Sequence, residues 1–180
     1  MTQYAYRSSI AAAQPGTPYG MGPCRVLSGL VQTAAIQPGV AVFRGSVERG
    51  VVLPTSSGDV TPAKFQGVAQ LTESKVAASY AVGTFAPIQR DDFIWGYAET
   101  DVAVAAHGLV YVRHTANGTG KTTLGAFRAD TDSGNATLLV GAEFYTPGAD
   151  GVAVIDLRLN GASGAQGAQG AQGAQGPQGA

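Results

Sequence analysis

From Gly161 onward a glycine occupies every third position, as Gly161, Gly164, Gly167, Gly170, Gly173, Gly176 and Gly179, mostly followed by Ala and Gln. Glycine at strict three-residue spacing is what the crowded axis of a three-chain collagen helix requires, because any side chain there would clash. Such a segment builds no globular core, so it divides the chain near residue 160. The triplets read either as a trimerising collagen-like tail or as a flexible Gly/Ala linker, and only Pro177 stiffens them. A stretch this short and poor in proline does not hold a triple helix unaided. It does so when the preceding domain is already a trimer, since tethering supplies a high effective concentration. Fully formed, about twenty residues at roughly 3 Å each give a rod near 60 Å. The tail therefore predicts a homotrimeric head with converging C-termini.

The segment before the tail, residues 26–160, carries a β signal throughout. Short runs rich in Val, Ile, Phe and Tyr alternate with small or polar residues, and clusters such as Gln37-Pro38-Gly39, Ser56-Ser57-Gly58-Asp59, Asn117-Gly118 and Thr146-Pro147-Gly148 punctuate them. Strands are expected at Val26–Gln32, Val40–Arg44, Phe65–Leu71, Ala81–Ile88, Phe93–Tyr97, Val102–Ala105, Leu109–Arg113, Thr137–Phe144 and Val152–Leu159. A turn residue followed by Val-Ala-Val recurs at Gly39–Phe43, Asp101–Ala105 and Gly151–Ile155, which places Val on one face and Ala on the other. The Ala face meets solvent or a closely packed layer. One short helix is expected over Glu73–Tyr80, with Thr72 as its N-cap. Together these features predict an all-β fold, a small barrel or sandwich of ordinary domain size.

Residues 1–25 are too rich in breakers for a helix or long strand. They read as an extended arm that orders against a partner through its tyrosines, or as a loose terminus. The charged fraction is 13% and the hydrophobic fraction 44%, against roughly 25% charged in average domains. That leaves little charged surface to keep copies apart and hints at assembly. A net charge of -1 with scattered basic residues gives no footprint for nucleic acid or anionic lipid. A single cysteine, Cys24, excludes an internal disulfide framework and reads as a small buried hydrophobe. The first residues lack the pattern of a signal peptide and no stretch is long and apolar enough to span a bilayer. Synthesis in a cytoplasm, with no membrane association, is the expectation.

Catalytic and metal chemistry find little support. Gly120-Lys121-Thr122 suggests a phosphate-binding loop, but Thr115 stands where that motif needs glycine, and a hairpin turn at Asn117-Gly118 with Lys121 on its rim fits better. His107 and His114 are the only histidines and lack companions at ligand spacing. Glu99, Asp101, Asp91 and Asp92 read as solvated turn residues, and no Gly-x-Ser-x-Gly elbow aims a nucleophile. Trp95 is expected to be a core or interface anchor. No enzyme activity, cofactor or metal is expected.

The patterns Pro38-Gly39-Val-Ala-Val-Phe-Arg-Gly45, Phe65-Gln-Gly-Val-Ala-Gln70, and the region from Tyr80-Ala-Val-Gly83 to Gly108-Leu-Val-Tyr-Val112 resemble the structural cement, or head decoration, proteins of tailed bacteriophages. The resemblance covers about Gln37 to Val112, leaving out arm and tail. It implies a β-tulip-like head that binds the outer capsid surface of the virion, bridges neighbouring major capsid proteins and stabilises the shell. Relatives decorate as trimers or as dimers, and only the trimer suits a collagen-like tail. Capsid contacts are assigned to the arm, at Tyr4, Tyr6, Arg7, Tyr19 and Met21. The alternative is a receptor-binding or fibre-type virion adhesin with a collagen-like stalk, against which stands the position of the triplets after the head.

Overall fold

The computed structural model describes residues 14–20, 24–72, 79–118 and 120–157. Five strands, β1 (Val26–Val31), β2 (Ala41–Arg44), β3 (Gly50–Val52), β4 (Phe65–Ala69) and β5 (Phe85–Gln89), close into a barrel in the order β1-β3-β2-β4-β5. Five more, β6 (Phe93–Tyr97), β7 (Leu109–Arg113), β8 (Phe127–Arg128), β9 (Ala136–Phe144) and β10 (Val152–Asp156), form a second sheet in the order β6-β10-β9-β7-β8. All these strands pair antiparallel except β1 with β3. Among the described residues the helical pieces are 3-10 turns at Ser57–Asp59 and Asp132–Gly134. The all-β expectation holds, with barrel and sheet combined in one head.

The recurring Val-Ala-Val unit explains how the two layers meet. In β2, Ala41 and Phe43 face the larger core with Phe65, Val112, Phe127 and Leu139. Val40 and Val42 face the barrel core with Val31, Ile36, Val51 and Ile88. A strand buried on both faces needs a small residue where a second layer comes close, and Ala41 supplies it. Its N–H donates to the Gly125 carbonyl at 2.8 Å. Gly125 has a φ of 80°, and a Cβ there would lie 2.5 Å from the Ala41 carbonyl oxygen, so only glycine permits the approach. β10 repeats the pattern, with all five residues buried.

Residues 14–20 do not leave the head. Pro18 bridges Ile94 in antiparallel fashion, the Tyr19 N–H donates to the Phe93 carbonyl at 3.0 Å and the Trp95 N–H to the Thr17 carbonyl at 2.9 Å. The segment is a strap along the outer edge of β6. Gly16 anchors it, with a φ of 86° and a virtual Cβ only 2.6 Å from the Leu71 nitrogen. Further along the same edge, Tyr97 N–H donates to Gly39 and Glu99 N–H to Phe127. That last bond, with the Ala98–Phe127 bridge, brings the two margins of the second sheet together.

Several sequence expectations need correction. Val102–Ala105 is a loop: Val104 alone is buried, against Gly148, whose N–H donates to its carbonyl. One buried contact satisfies the local alternation, so no strand pairing follows. β3 and β8 were hidden because each is too short for a period-two pattern to register. β5 begins only at Phe85, since Ala81–Thr84 is a turn with Gly83 at φ 81°. The expected helix over Glu73–Tyr80 falls mainly outside the described residues. Its last member, Tyr80, is buried, bridges Ile36 and donates its hydroxyl to the Gln70 carbonyl at 2.6 Å. Cys24 is half-buried and free.

Candidate interaction surfaces and the buried ionic cluster

The outward face of the second sheet carries aromatic side chains in register. Trp95 opposes Val154 and Phe93 opposes Asp156 across the β6–β10 ladder, so their side chains stand on one face. Tyr19, delivered by the strap, lies edge-on to Trp95 with ring centroids 5.6 Å apart and to Phe93 at 6.3 Å. Tyr145, just past β9, packs on Phe93 at 4.4 Å and on Tyr19 at 5.9 Å. Tyr19 and Tyr145 remain 37% and 39% exposed, while Val154 beside them is fully buried. Leu109 and Val140, in the neighbouring β7 and β9, are exposed as well. This amphipathic patch offers aromatic contact area at low entropy cost, the composition that suits a protein interface.

Of the residues assigned to capsid contact, Tyr19 is thus held by its own head and keeps one exposed flank. Tyr4, Tyr6, Arg7 and Met21 lie outside the described residues, as do Gly161, Gly164, Gly167, Gly170, Gly173, Gly176 and Gly179. Trp95 is half-buried within the patch.

At the far end of the second sheet, Glu99 contradicts its reading as a solvated turn residue. It is 4% exposed and lies between Arg113, closing β7, and Arg128, closing β8, both fully buried. Arg113 donates to the two Glu99 carboxylate oxygens at 2.6 and 2.7 Å and to Asp132 at 2.7 Å. Arg128 donates to Glu99 and, at 2.6 Å, to Asp130. Asn117 adds a bond to Asp132 at 2.7 Å. Bonding to Glu99 first, then to Asp132, holds the Arg113 guanidinium above its ordinary pKa against the pull of burial. Burial lowers that of Arg128, but Asp130 and the other carboxylates outweigh it and leave it raised. The bond from Arg113, helped by Asn117, holds the Asp132 carboxyl below the usual range.

This cluster is structural in its geometry. Its donors and acceptors face one another, and it ties the β8–β9 connection to the sheet. That connection has Asp132 and Ser133 at φ 44° and 56°, strained values that persist only when the surroundings over-determine them. Fully bonded buried charges are costly to break rather than a source of net stability. The charged residues at strand ends were the available signal. A lone acid two residues past an apolar strand does not reveal that two arginines converge on it.

The histidines serve apart. His107 is exposed, 3.4 Å from Glu143. His114 is buried, with Nδ1 2.9 Å from the Thr115 hydroxyl and Nε2 unpartnered, and burial lowers its pKa. Asn117 N–H donates to the Lys121 carbonyl within the connection from β7 to β8, and the short strand β8 follows it instead of a phosphate-binding helix. Among the described residues no group of three or more His, Cys, Asp or Glu could hold a metal, and no helix is long and apolar enough to cross a membrane.

Residues 1–159 match the family described as "Structural cement protein (E217 gp24/Pam3 gp6)". No curated protein matches the chain. A solved chain from "The capsid of Myoviridae Phage XM1" shares the fold, with a TM-score of 0.67 and 15% identity over 87% of this chain and 96% of that one. At that identity the likeness speaks to the fold alone. Because the family match runs through the strap, both sheets and the ionic cluster, this chain belongs to the phage structural cement protein family.

Proposed function

We propose that this chain is a capsid decoration protein that binds the outer surface of a phage head and stabilises it by bridging neighbouring major capsid proteins. The observation that carries the reading is the family match over residues 1–159. The head suits the task physically. A barrel and sheet locked through β2 make a rigid block, and the patch around Tyr19, Trp95 and Tyr145 gives it contact area for a shell subunit. Trimerisation through the Gly161–Gly179 triplets would multiply a modest contact into durable retention. The arm residues Tyr4, Tyr6, Arg7 and Met21 extend that contact. Assembly in the host cytoplasm and a place on the virion surface complete the reading, which assigns no catalytic step.

The test is co-sedimentation of the purified protein with undecorated capsids, followed by the temperature at which the capsids release DNA. Binding with an increase in that temperature supports the reading, and protein left in the supernatant contradicts it. Deletion of residues 1–13 isolates the arm while sparing the strap, because residues 14–20 belong to the β6 edge. Weakened binding is expected, and undiminished binding would remove the arm from the contact. Particle stoichiometry in multiples of three tests the tail.

A further inference from the structure

The barrel has an opening in its wall. β1 pairs with β5 along its whole length, from Val26 opposite Gln89 to Leu30 opposite Phe85. On its other side it meets β3 only at Leu30 and Val31. The reason is local: Arg49, at φ 58°, turns the β2–β3 hairpin aside, so the ladder starts with the Leu30 N–H bonded to the Arg49 carbonyl at 2.8 Å. Residues 25 and 31 bond toward β5, so by strand alternation Val26 and Ser28 aim their main-chain groups at the gap. Neither has a partner there among the described residues.

Beside this edge lies a cleft of about 470 Å³. Leu27, Val51 and Ile88 give it an apolar floor, and Val51 packs directly over Gly29, where a Cβ would sit 2.8 Å from it. Arg44, Glu48 and Arg49 form the rim. None of the three takes part in an ion pair within the described chain, so the rim keeps an excess of positive charge although the whole chain carries -1. Val26 and Leu27 are 42% and 41% exposed. Proteins ordinarily blunt such edges with Lys, Pro or a bulge, and Val26–Ser28 has none of these.

We propose that this gap is a strand-addition site for an extended, acidic segment of a partner protein. The segment pairs its backbone with Val26 and Ser28, sets an apolar side chain on Leu27 and Ile88, and places a carboxylate between Arg44 and Arg49. Main-chain pairing supplies affinity and the alternating side chains supply selectivity. The proposal rests on the decoration reading only in assigning the segment to a shell subunit.

The test uses the full chain, isotope-labelled, with two capped peptides, acetyl-Val-Asp-Val-Asp-Val-amide and acetyl-Val-Lys-Val-Lys-Val-amide. The acidic peptide is expected to shift the Val26, Ser28 and Arg49 amide resonances and to slow exchange of the first two by about tenfold. The basic peptide should do neither. Ser28→Pro, which removes a donor pointing into the gap, should abolish the effect. The double variant Arg44→Glu/Arg49→Glu should reverse the preference, and its unchanged spectrum elsewhere shows that it folds. Equal response to both peptides, shifts confined to another surface, or undiminished binding by Ser28→Pro would overturn the site. On capsids, Ser28→Pro binding as tightly as wild type would overturn its use for docking. Wild type failing to bind capsids would instead overturn the decoration reading, while the peptide result still decides the site.

Discussion

The outer edges of β6 and β1 are treated in opposite ways. Along the outer edge of β6, Phe93 bonds to Tyr19, Trp95 to Thr17 and Gly16, and Tyr97 to Gly39, and just past the strand Glu99 bonds to Phe127. Beyond β6, Glu99 then locks the sheet end through two buried arginines. Among the described residues, β1 is left open over Val26–Ser28, beside a cleft with a cationic rim. Among the described residues, one edge is sealed by the strap and the other has no strand beside it. The second sheet carries the buried ionic lock, and the opening beside β1 is where a partner strand is proposed to add.

The sealed half should be the sensitive one. Glu99→Ala leaves two buried guanidinium groups without their shared carboxylate and should cost about 3–5 kcal/mol in urea unfolding. A loss below about 1 kcal/mol would mean that water reaches the cluster and that the sheet end is not locked. Gly16→Ala forces a side chain into a left-handed residue pressed on the Leu71 nitrogen, and a loss of about 2–3 kcal/mol is expected. Faster amide exchange at Trp95 should accompany it, since that N–H bonds to the strap.

Acid sharpens the contrast with the loop ahead of β4. Bonding from Lys64 first, then from Thr55 and Ser56, lowers the Asp59 pKa to about 2 from 3.8. Its folded value is depressed, so its contribution is present above pH 3.8 and is lost as the pH falls toward 2. After allowance for screening this amounts to about 1–2 kcal/mol, which Asp59→Asn should remove at neutral pH while flattening the curve between pH 4 and 2. His114 acts in a higher window. Its folded pKa is lowered by burial, so the stability it gives is present above 6.5 and declines as the unfolded chain takes up a proton that the folded chain resists. His114→Gln should shrink the difference between unfolding midpoints at pH 7.5 and 5. The open edge should be the least sensitive: Ser28→Pro and Arg44→Glu are expected to change stability by less than about 0.5 kcal/mol. A larger loss at Ser28 would show that its N–H is engaged within the head.

Much of this architecture is legible in the chain. β6, β7 and the body of β9 and β10 stand where alternation and glycine punctuation place them. What stayed hidden depends on contacts distant in sequence. The Val-Ala-Val run at residues 102–104 has the same local form as β2 and β10, but its neighbour is Gly148 rather than a strand. Tyr19 reads as part of a free arm because nothing in residues 14–20 announces that β6 has an unfilled edge. Glu99 looks like any turn carboxylate until the ends of β7 and β8 bring Arg113 and Arg128 to it. The opening beside β1 arises from one left-handed residue, Arg49, in a hairpin whose strand is only three residues long.

The most direct measurement is an electron cryomicroscopy map of phage heads assembled with this protein. The account predicts density for the barrel and sheet on the outer shell at many equivalent positions, each head touching adjacent capsid subunits. Density confined to the tail tip, or a shell bare of the protein, would contradict it.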